Sequence, residues 1–181
     1  MSVDREVVEL GVWFGPLARP GVRRAALVIG AHGAAELTAD GDSADADPGP
    51  LGSYLYEPDG AVIRARLIGD LARSIEGRML DPTIAYITTD AYTPTSVATA
   101  FRVIEELPLD VRTLKAELAR RGVGTVEIKK RGVDVDPAEF RRRLAPKGDA
   151  SGTLVLTRIG ERRRALLVER VGRDGAPGAR Q

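Results

Sequence analysis

Apolar and polar residues follow regular periods along the second half of the chain, and these periods predict a succession of strands and helices. Asp110 and Asp136 are placed as helix N-caps, and apolar residues at helical spacing follow each of them. Strands are predicted at residues 100–107, 125–129, 153–157 and 165–168. The order β-α-β-α-β-β predicts an α/β (α+β) fold in which helices pack on a small mixed sheet.

The first half of the chain shows more interrupted patterns. Residues 6–13 and 23–29 predict the two antiparallel strands of a β-hairpin, which needs a further partner because a lone hairpin is marginally stable. Residues 30–52 are acidic and rich in glycine, alanine and proline, a composition typical of a linker. Apolar residues at four-residue spacing predict one amphipathic helix over residues 59–76. A short strand is predicted at residues 84–88.

Several classes of site are excluded by residue type. The sequence has no cysteine and one histidine, His32, so thiolate and His-cluster metal sites are excluded. There is no GxGxxG, Walker or GxSxG motif, and His32 is expected in a surface loop. Four linker aspartates lack the distal glutamate of a calcium loop: Asp40, Asp42, Asp45 and Asp47. With no signal-peptide pattern and no run near the roughly 20 apolar residues of a membrane span, we expect a cytoplasmic protein.

Charge is distributed unevenly along the chain, although the net charge is only +1. Residues 1–109 hold 9 Lys+Arg and 16 Asp+Glu, a net of −7. Residues 110–181 hold 18 Lys+Arg and 10 Asp+Glu, a net of +8. This asymmetry is typical of a basic half that binds nucleic acid or another polyanion, and a solvated Arg-rich surface gives the same counts.

The basic residues of the second half occur in short runs near predicted element ends. Lys129, Lys130 and Arg131 end a strand and enter a turn, where a sheet presents side chains to a ligand, and we predict that they contact phosphates. The secondary candidates are Arg141, Arg142 and Arg163, of which the first two also fit the solvated face of a short helix. Arg120 and Arg121 are explained by the helix dipole. Because aromatic residues are scarce, the pattern favours backbone or shape recognition of a structured RNA over base stacking.

Four stretches, in order, carry a family resemblance: residues 54–65 (YLYEPDGAVIRA), 80–86 (LDPTIAY), 126–132 (VEIKKRG) and 153–158 (TLVLTR). They resemble bacterial class I SAM-dependent methyltransferases that carry a C-terminal THUMP-like domain. Residues 6–17 (EVVELGVWFGPL) resemble the stretch that closes the methyltransferase sheet in those proteins. The resemblance covers residues 3–171.

The resemblance implies a function and a division of the chain. The implied function is that of an RNA-binding THUMP-like C-terminal portion of a SAM-dependent RNA methyltransferase, which presents a structured RNA to the catalytic domain. The implied parts are the terminal strands of a methyltransferase domain (1–35), a linker (36–51), a ferredoxin-like connecting region (52–98), a THUMP-like domain (99–171) and a disordered tail (172–181).

The N-terminal part of the chain departs from the family pattern. It lacks the glycine-rich loop and the following acidic residue with which such an enzyme holds SAM, as well as the acidic-Pro motif near the methyl acceptor. We therefore expect a fragment with no catalytic, cofactor-binding or metal-binding residue of its own, SAM belonging to the full-length family. One alternative is a protein-interaction module that docks onto a separate methyltransferase subunit through the strand pair at 6–29. A self-contained enzyme would need a site built from carboxylates such as Glu57 and Asp59.

Overall fold

The computed structural model describes residues 1–31, 33–42 and 44–172. Within them the chain forms two sheets and four α-helices, which confirms the α/β class. The strands are β1 (Ser2–Val3), β2 (Glu6–Val7), β3 (Arg24–Gly30), β4 (Gly33–Ala39), β5 (Tyr54–Pro58), β6 (Arg78–Asp81), β7 (Ile84–Thr89), β8 (Ala98–Pro108), β9 (Val123–Lys130), β10 (Ala150–Ile159) and β11 (Arg162–Arg170). The helices are α1 (Gly60–Arg64), α2 (Ile68–Ser74), α3 (Val111–Arg120) and α4 (Pro137–Leu144), with one 3-10 turn at Gly15–Leu17.

The larger sheet has seven strands in the order β6-β7-β5-β8-β11-β10-β9. Neighbouring strands are antiparallel except β9 and β10, which are parallel and are joined through α4. The predicted β-α-β-α-β-β order is confirmed as β8-α3-β9-α4-β10-β11. Both predicted caps are confirmed, because Asp110 accepts a hydrogen bond from the Thr113 N–H at 2.8 Å and Asp136 accepts one from the Glu139 N–H at 2.7 Å.

One face of this sheet carries all four helices, in two groups. α3 and α4 cover β8 to β11, and α1, α2 and the smaller sheet cover β5 to β7. The first group buries Leu107, Leu114, Leu118, Val123, Val126, Phe140, Leu144, Leu154, Leu156, Ala165 and Leu167. The second buries Ala26, Tyr56, Ala61, Val62, Leu67, Leu71, Ala72, Ile75, Met79, Ile87, Val97 and Ala100.

The opposite face curls onto itself, so that β6 touches β10 although four strands, β7, β5, β8 and β11, lie between them in the sheet order. An ion pair between Arg158 of β10 and Asp81 of β6, at 3.1 Å, ties the two ends together. The enclosed apolar side chains form what we call the inner core: Leu55, Leu80, Ile84, Tyr86, Phe101, Val155, Leu166 and Val168.

The smaller sheet differs from the predicted hairpin. Its order is β2-β1-β3-β4, and β3 pairs in parallel with β1 and antiparallel with β4. The predicted strand over 6–13 was wrong beyond Val7, since residues 8–14 find no strand partner among the described residues. The linker predicted over 30–52 was also wrong in part, because β4 completes a hairpin with β3. His32, expected in a surface loop, lies outside the described residues.

The single helix predicted over residues 59–76 was also wrong. Arg66 has a left-handed backbone with φ 58°, which ends the first helix and starts the second in a new direction. The break lets Val62 and Leu67 both reach full burial. The strand β6, which sequence reasoning missed, follows directly after this helical pair.

The division into five parts stays a prediction. The seven-stranded sheet runs without interruption across the proposed boundary at 98/99, because β8 pairs with β5 on one side and with β11 on the other. Of the predicted tail, residues 173–181 lie outside the described part of the chain.

Candidate nucleic-acid interface

Basic side chains from three strands of the larger sheet lie together at one end of those strands. β9 and β10 run parallel and both end here, and β11, antiparallel to them, begins here. Lys130 is level with Leu156 of β10, and Arg163 lies directly opposite Arg158. We name this group the basic edge; it consists of Lys130, Arg131, Arg162 and Arg163. Its members are exposed except Arg131, which is half-buried.

The basic edge is not neutralised by carboxylates. Among the residues that the structure describes, no carboxylate oxygen lies within 4.0 Å of a basic-edge nitrogen. The neighbouring arginines are paired, Arg158 with Asp81 and Arg164 with Glu106 at 2.6 Å. The edge therefore presents positive charge that has no direct ion-pair partner, which suits an anionic ligand.

Arg131 is held by the turn that follows β9. Its guanidinium carbon lies 5.3 Å from the centre of the Tyr86 ring, which is a cation–π contact. Its backbone N–H donates to the Leu156 carbonyl at 3.0 Å. Gly132 has a φ of 76°, and a side chain there would come within 2.2 Å of Ile84. Only glycine fits this left-handed, tightly packed position, so the turn fixes where Arg131 points.

Lys129 lies on the other face of the sheet, inside the mouth of the inner core. Its Nζ donates to Glu57 Oε2 at 2.9 Å and lies 5.7 Å from the centre of the Phe101 ring. Only 17% of the Lys129 side chain and 14% of the Glu57 side chain are exposed, so Lys129 already has a partner within the chain. Arg5 also donates to Glu57 Oε2, at 2.9 Å, and to the Thr99 hydroxyl.

The Glu57 carboxylate is ionised in this setting. Burial disfavours its charged form, but the hydrogen bond from Lys129 and the charges of Lys129, Arg5 and Arg131 hold its pKa below the ordinary value of 4.5. Asp59, the other carboxylate considered for a self-contained site, caps α1 by accepting from the Ala61 N–H at 2.8 Å. Both carboxylates therefore have structural partners.

Arg141 and Arg142 are not brought to the basic edge. α4 starts after the end of β9 and runs back towards the start of β10. Its last turn therefore lies towards the opposite end of these strands. Arg141 donates from Nε to the Val126 carbonyl at 3.0 Å, and Arg142 is exposed. These two residues form a separate basic surface on α4.

Arg120 and Arg121 are committed to neighbouring carboxylates. Both donate to Glu117, and Arg121 also donates to Glu105 at 2.7 Å. The hydrogen bonds from Arg120 and then Arg121 lower the pKa of Glu117 to about 2. Ion pairing thus accounts for these arginines more directly than the helix dipole does.

Sequence reasoning missed Arg162 and the Arg5–Glu57 contact. Arg162 belongs to the Arg162–Arg164 run, and strand alternation separates Arg163 from Arg164, whose partner is Glu106. Arg5 offers no such signal, because its partner lies 52 positions away. Within the described ranges, no helix is long and apolar enough to cross a membrane, and no group of three or more metal-ligating side chains was found.

Burial and the negative charge of Glu57 raise the pKa of Tyr86 to about 12. The contribution of Tyr86 to stability is therefore fully present below pH 10 and is lost as the pH rises towards 12. We expect the free energy of unfolding to fall over this window by on the order of 2 kcal/mol more in the wild type than in Tyr86→Phe. Urea titrations at matched pH values measure this, and equal falls in both proteins would contradict it.

Residues 98–170 match the THUMP domain-like family. Two curated relatives, from two strains of Mycobacterium tuberculosis, are each named as an uncharacterized S-adenosylmethionine-dependent methyltransferase and are 36% identical over 154 residues. The match covers 85% of this chain and 42% of each relative, so the chain spans about two-fifths of their length.

A solved structure shares the fold. The crystal structure of a putative methyltransferase from Porphyromonas gingivalis superposes with a TM-score of 0.60 at 23% identity. The superposition covers 75% of this chain and 34% of that protein.

Proposed function

Because residues 98–170 form a THUMP-like domain and the chain is homologous to SAM-dependent methyltransferases, we propose that it is the RNA-binding part of a SAM-dependent RNA methyltransferase. The observation that carries the proposal is the basic edge, which lies within the THUMP-like domain and has no carboxylate partner among the described residues. Such an arrangement attracts the phosphates of RNA. In this proposal the protein acts in the bacterial cytoplasm.

The exposure and the partners of each basic residue decide its proposed role in RNA binding. Lys130, Arg131 and Arg163 make the main phosphate contacts, and Arg141 and Arg142 form a second contact on α4. Lys129 supports the site from inside through Glu57. Among the described residues, none of the exposed large apolar side chains belongs to the basic edge. The ligand is therefore recognised by its backbone and shape and not by stacking of bases.

SAM belongs to the whole enzyme in this proposal. Gly30 and Gly33 face each other across a tight hairpin, and a side chain added at either would meet nothing within 4 Å. A loop that cradles SAM instead leads from a strand into a helix and needs its glycines for close approach. The hairpin at Gly30 and Gly33 therefore does not have the form of such a loop, and in this proposal methyl transfer belongs to the part of the relatives that lies outside the match.

Removing two basic-edge charges is expected to weaken RNA binding in a salt-dependent way. Lys130→Ala with Arg163→Ala should lower affinity for a hairpin RNA at least about tenfold at low salt. The slope of log K against log salt should become shallower by about 2, one for each lost phosphate contact. Fluorescence anisotropy with a labelled hairpin RNA, titrated at several salt concentrations, measures both quantities.

The matched control removes the same charge elsewhere. Arg23 and Arg64 are exposed and lie outside the THUMP-like domain, and Arg23→Ala with Arg64→Ala should change the affinity less than about twofold. If wild-type protein shows no affinity at low salt, or if both double variants lose affinity equally, the assignment to the basic edge is wrong.

A further inference from the structure

A cleft with a volume of about 700 Å³ opens between the smaller sheet and the start of β8. One side is lined by residues 28–31 and 33–35 of the β3–β4 hairpin, and the other side by residues 95–100. Arg5 and Arg170 also line it, whereas no residue of the basic edge does. The cleft is therefore a separate concave site, and its volume lies in the range of about 300–1,000 Å³ that is typical of small-molecule sites.

Arg170 is the cation of this cleft that is available to a ligand. Among the described residues, no carboxylate oxygen lies within 4.0 Å of its nitrogens. Its guanidinium carbon lies 5.5 Å from the centre of the ring of Phe101, the residue directly opposite in the ladder between β8 and β11. The next residue, Val171, donates its N–H to the Ala100 carbonyl at 3.0 Å, so the neighbouring backbone is held as well. The guanidinium is thus positioned while its N–H donors remain available, and their planar arrangement matches the oxygens of a phosphate.

The second cation of the cleft, Arg5, is held in place by Glu57. Arg5 donates to Glu57 Oε2 and to the Thr99 hydroxyl, and Lys129 donates to the same carboxylate oxygen. These three charged groups together carry one positive charge, so Glu57 does not make the cleft repel an anion. The Arg5 side chain is 43% exposed and can therefore face a ligand as well.

Two further carboxylates line the cleft, and they differ in their partners. Asp59 is buried and accepts from the Ala61 N–H at 2.8 Å, so it serves the start of α1. Asp4 is exposed, and among the described residues no basic nitrogen lies within 4.0 Å of its carboxylate. The cleft thus offers both a cation and a carboxylate. This combination matches a nucleotide, whose phosphate oxygens accept hydrogen bonds and whose ribose hydroxyls donate them.

We propose that this cleft binds one nucleotide, with its phosphate on Arg170 and a ribose hydroxyl on Asp4. The described residues at the tip of the hairpin, 30–31 and 33–34, are glycine and alanine, which leaves room for a base without selecting one. The nucleotide belongs either to the RNA bound at the basic edge or to the free nucleotides in solution, and the recognising chemistry is the same. The proposal rests on the proposed function only for RNA as one of these two sources.

Binding of adenosine 5′-monophosphate (AMP) to the full chain tests the proposal. In ¹H–¹⁵N correlation spectra we expect the amide signals of residues 95–100 and 170–172 to shift and saturate with a Kd of about 0.1–5 mM. Adenosine, which lacks the phosphate, should bind at least about tenfold more weakly, because it cannot form the charge-assisted hydrogen bonds to Arg170.

Two arginine variants locate the phosphate contact. Arg170→Ala should weaken AMP binding at least about tenfold, and because Arg170 is exposed its replacement should leave the fold intact. The matched control is Arg102→Ala. Arg102 pairs with Glu169, the residue before Arg170, and its side chain is 52% exposed, but it does not line the cleft. This control should change the affinity for AMP less than about twofold.

The ribose contact has a test of its own. The wild type should bind 2′-deoxy-AMP at least about threefold more weakly than AMP, whereas Asp4→Asn should bind the two nucleotides about equally. Asparagine tolerates the left-handed backbone of Asp4, which has a φ of 47°. Equal affinity of the wild type for both nucleotides would overturn the role of Asp4.

A hairpin RNA with a short single-stranded extension distinguishes the two sources of the nucleotide. If the RNA supplies it, the extension should raise the affinity at least about fivefold over that of a blunt hairpin, and Arg170→Ala should abolish this gain. If the nucleotide comes from solution, the extension has no effect while AMP still binds.

The proposal is overturned if AMP up to about 10 mM moves no amide signal of residues 95–100 or 170–172. Equal binding of adenosine and AMP, or wild-type binding of AMP by Arg170→Ala, would also overturn it. Loss of hairpin RNA binding with AMP binding intact contradicts only the proposed function. Hairpin RNA binding that depends on the basic edge, without AMP binding in the cleft, contradicts only this proposal.

Discussion

Replacing Phe101 with alanine is expected to lower the free energy of unfolding by about 3–5 kcal/mol, the range for removing a fully buried aromatic side chain. Phe101 is 0% exposed and packs in the inner core. Two cations also contact its ring, with Lys129 Nζ at 5.7 Å and the Arg170 guanidinium at 5.5 Å from the ring centre. Denaturant unfolding measures the loss as a lower midpoint at an unchanged m-value.

The chain offers a matched control for this substitution. Phe14 is 78% exposed, so Phe14→Ala removes the same atoms from a position that buries little. Its effect on the isolated chain should stay within about 0.5 kcal/mol. Similar losses in the two variants would show that the inner core is not packed as described.

The second large effect is expected at Lys129. Lys129→Met keeps the apolar stem on Phe101 but leaves the largely buried Glu57 carboxylate without one of its two cation partners. We expect a loss of about 2–3 kcal/mol, below the range for a fully buried pair because Arg5 remains on Glu57. Lys130→Met, one residue further along β9 and exposed, should change stability by less than about 0.5 kcal/mol.

A double variant and a pH series separate the ion pair from general damage. Lys129→Met with Glu57→Met removes both charges and should recover most of the loss, because no charge is left buried without a partner. Since the pKa of Glu57 is lowered in the folded chain, the stabilisation by the pair is present above about pH 4.5. This stabilisation is lost as the pH falls from 4.5 through the lowered pKa of Glu57. The difference in free energy of unfolding between the wild type and Lys129→Met should therefore shrink in acid. A difference in free energy of unfolding that is constant with pH would contradict the ion-pair explanation.

The second half of the fold was predictable because its signals are local. Asp110 and Asp136 cap their helices through residues only three positions away, apolar alternation marks β9, and short continuous apolar runs mark β10 and β11. The first half depends on longer contacts. β4 is rich in alanine and becomes a strand only because β3 lies beside it, and the left-handed Arg66 breaks a helical pattern that four-residue spacing cannot reveal.

The candidate site was predictable only in part for a related reason. The run Lys129–Arg131 ends a strand as predicted, and alternation alone places Lys129 and Lys130 on opposite faces. That the face of Lys129 is closed over by β5 follows from the curl of the whole sheet, and Glu57 lies 72 positions away. Likewise, Lys130 and Arg163 come together through the register of β9, β10 and β11, which no short motif specifies.

β8 is hydrogen-bonded on both sides, to β5 and to β11. A protease that cuts the loop at 90–97 would therefore leave two pieces that stay associated, because the ladder between β5 and β8 survives the cut. The region before residue 98 and the THUMP-like domain after it should accordingly melt in one transition. A recombinant domain that starts at residue 98 would expose a bare strand edge, and its tendency to aggregate would reflect the missing neighbour and not an intrinsic defect of the domain.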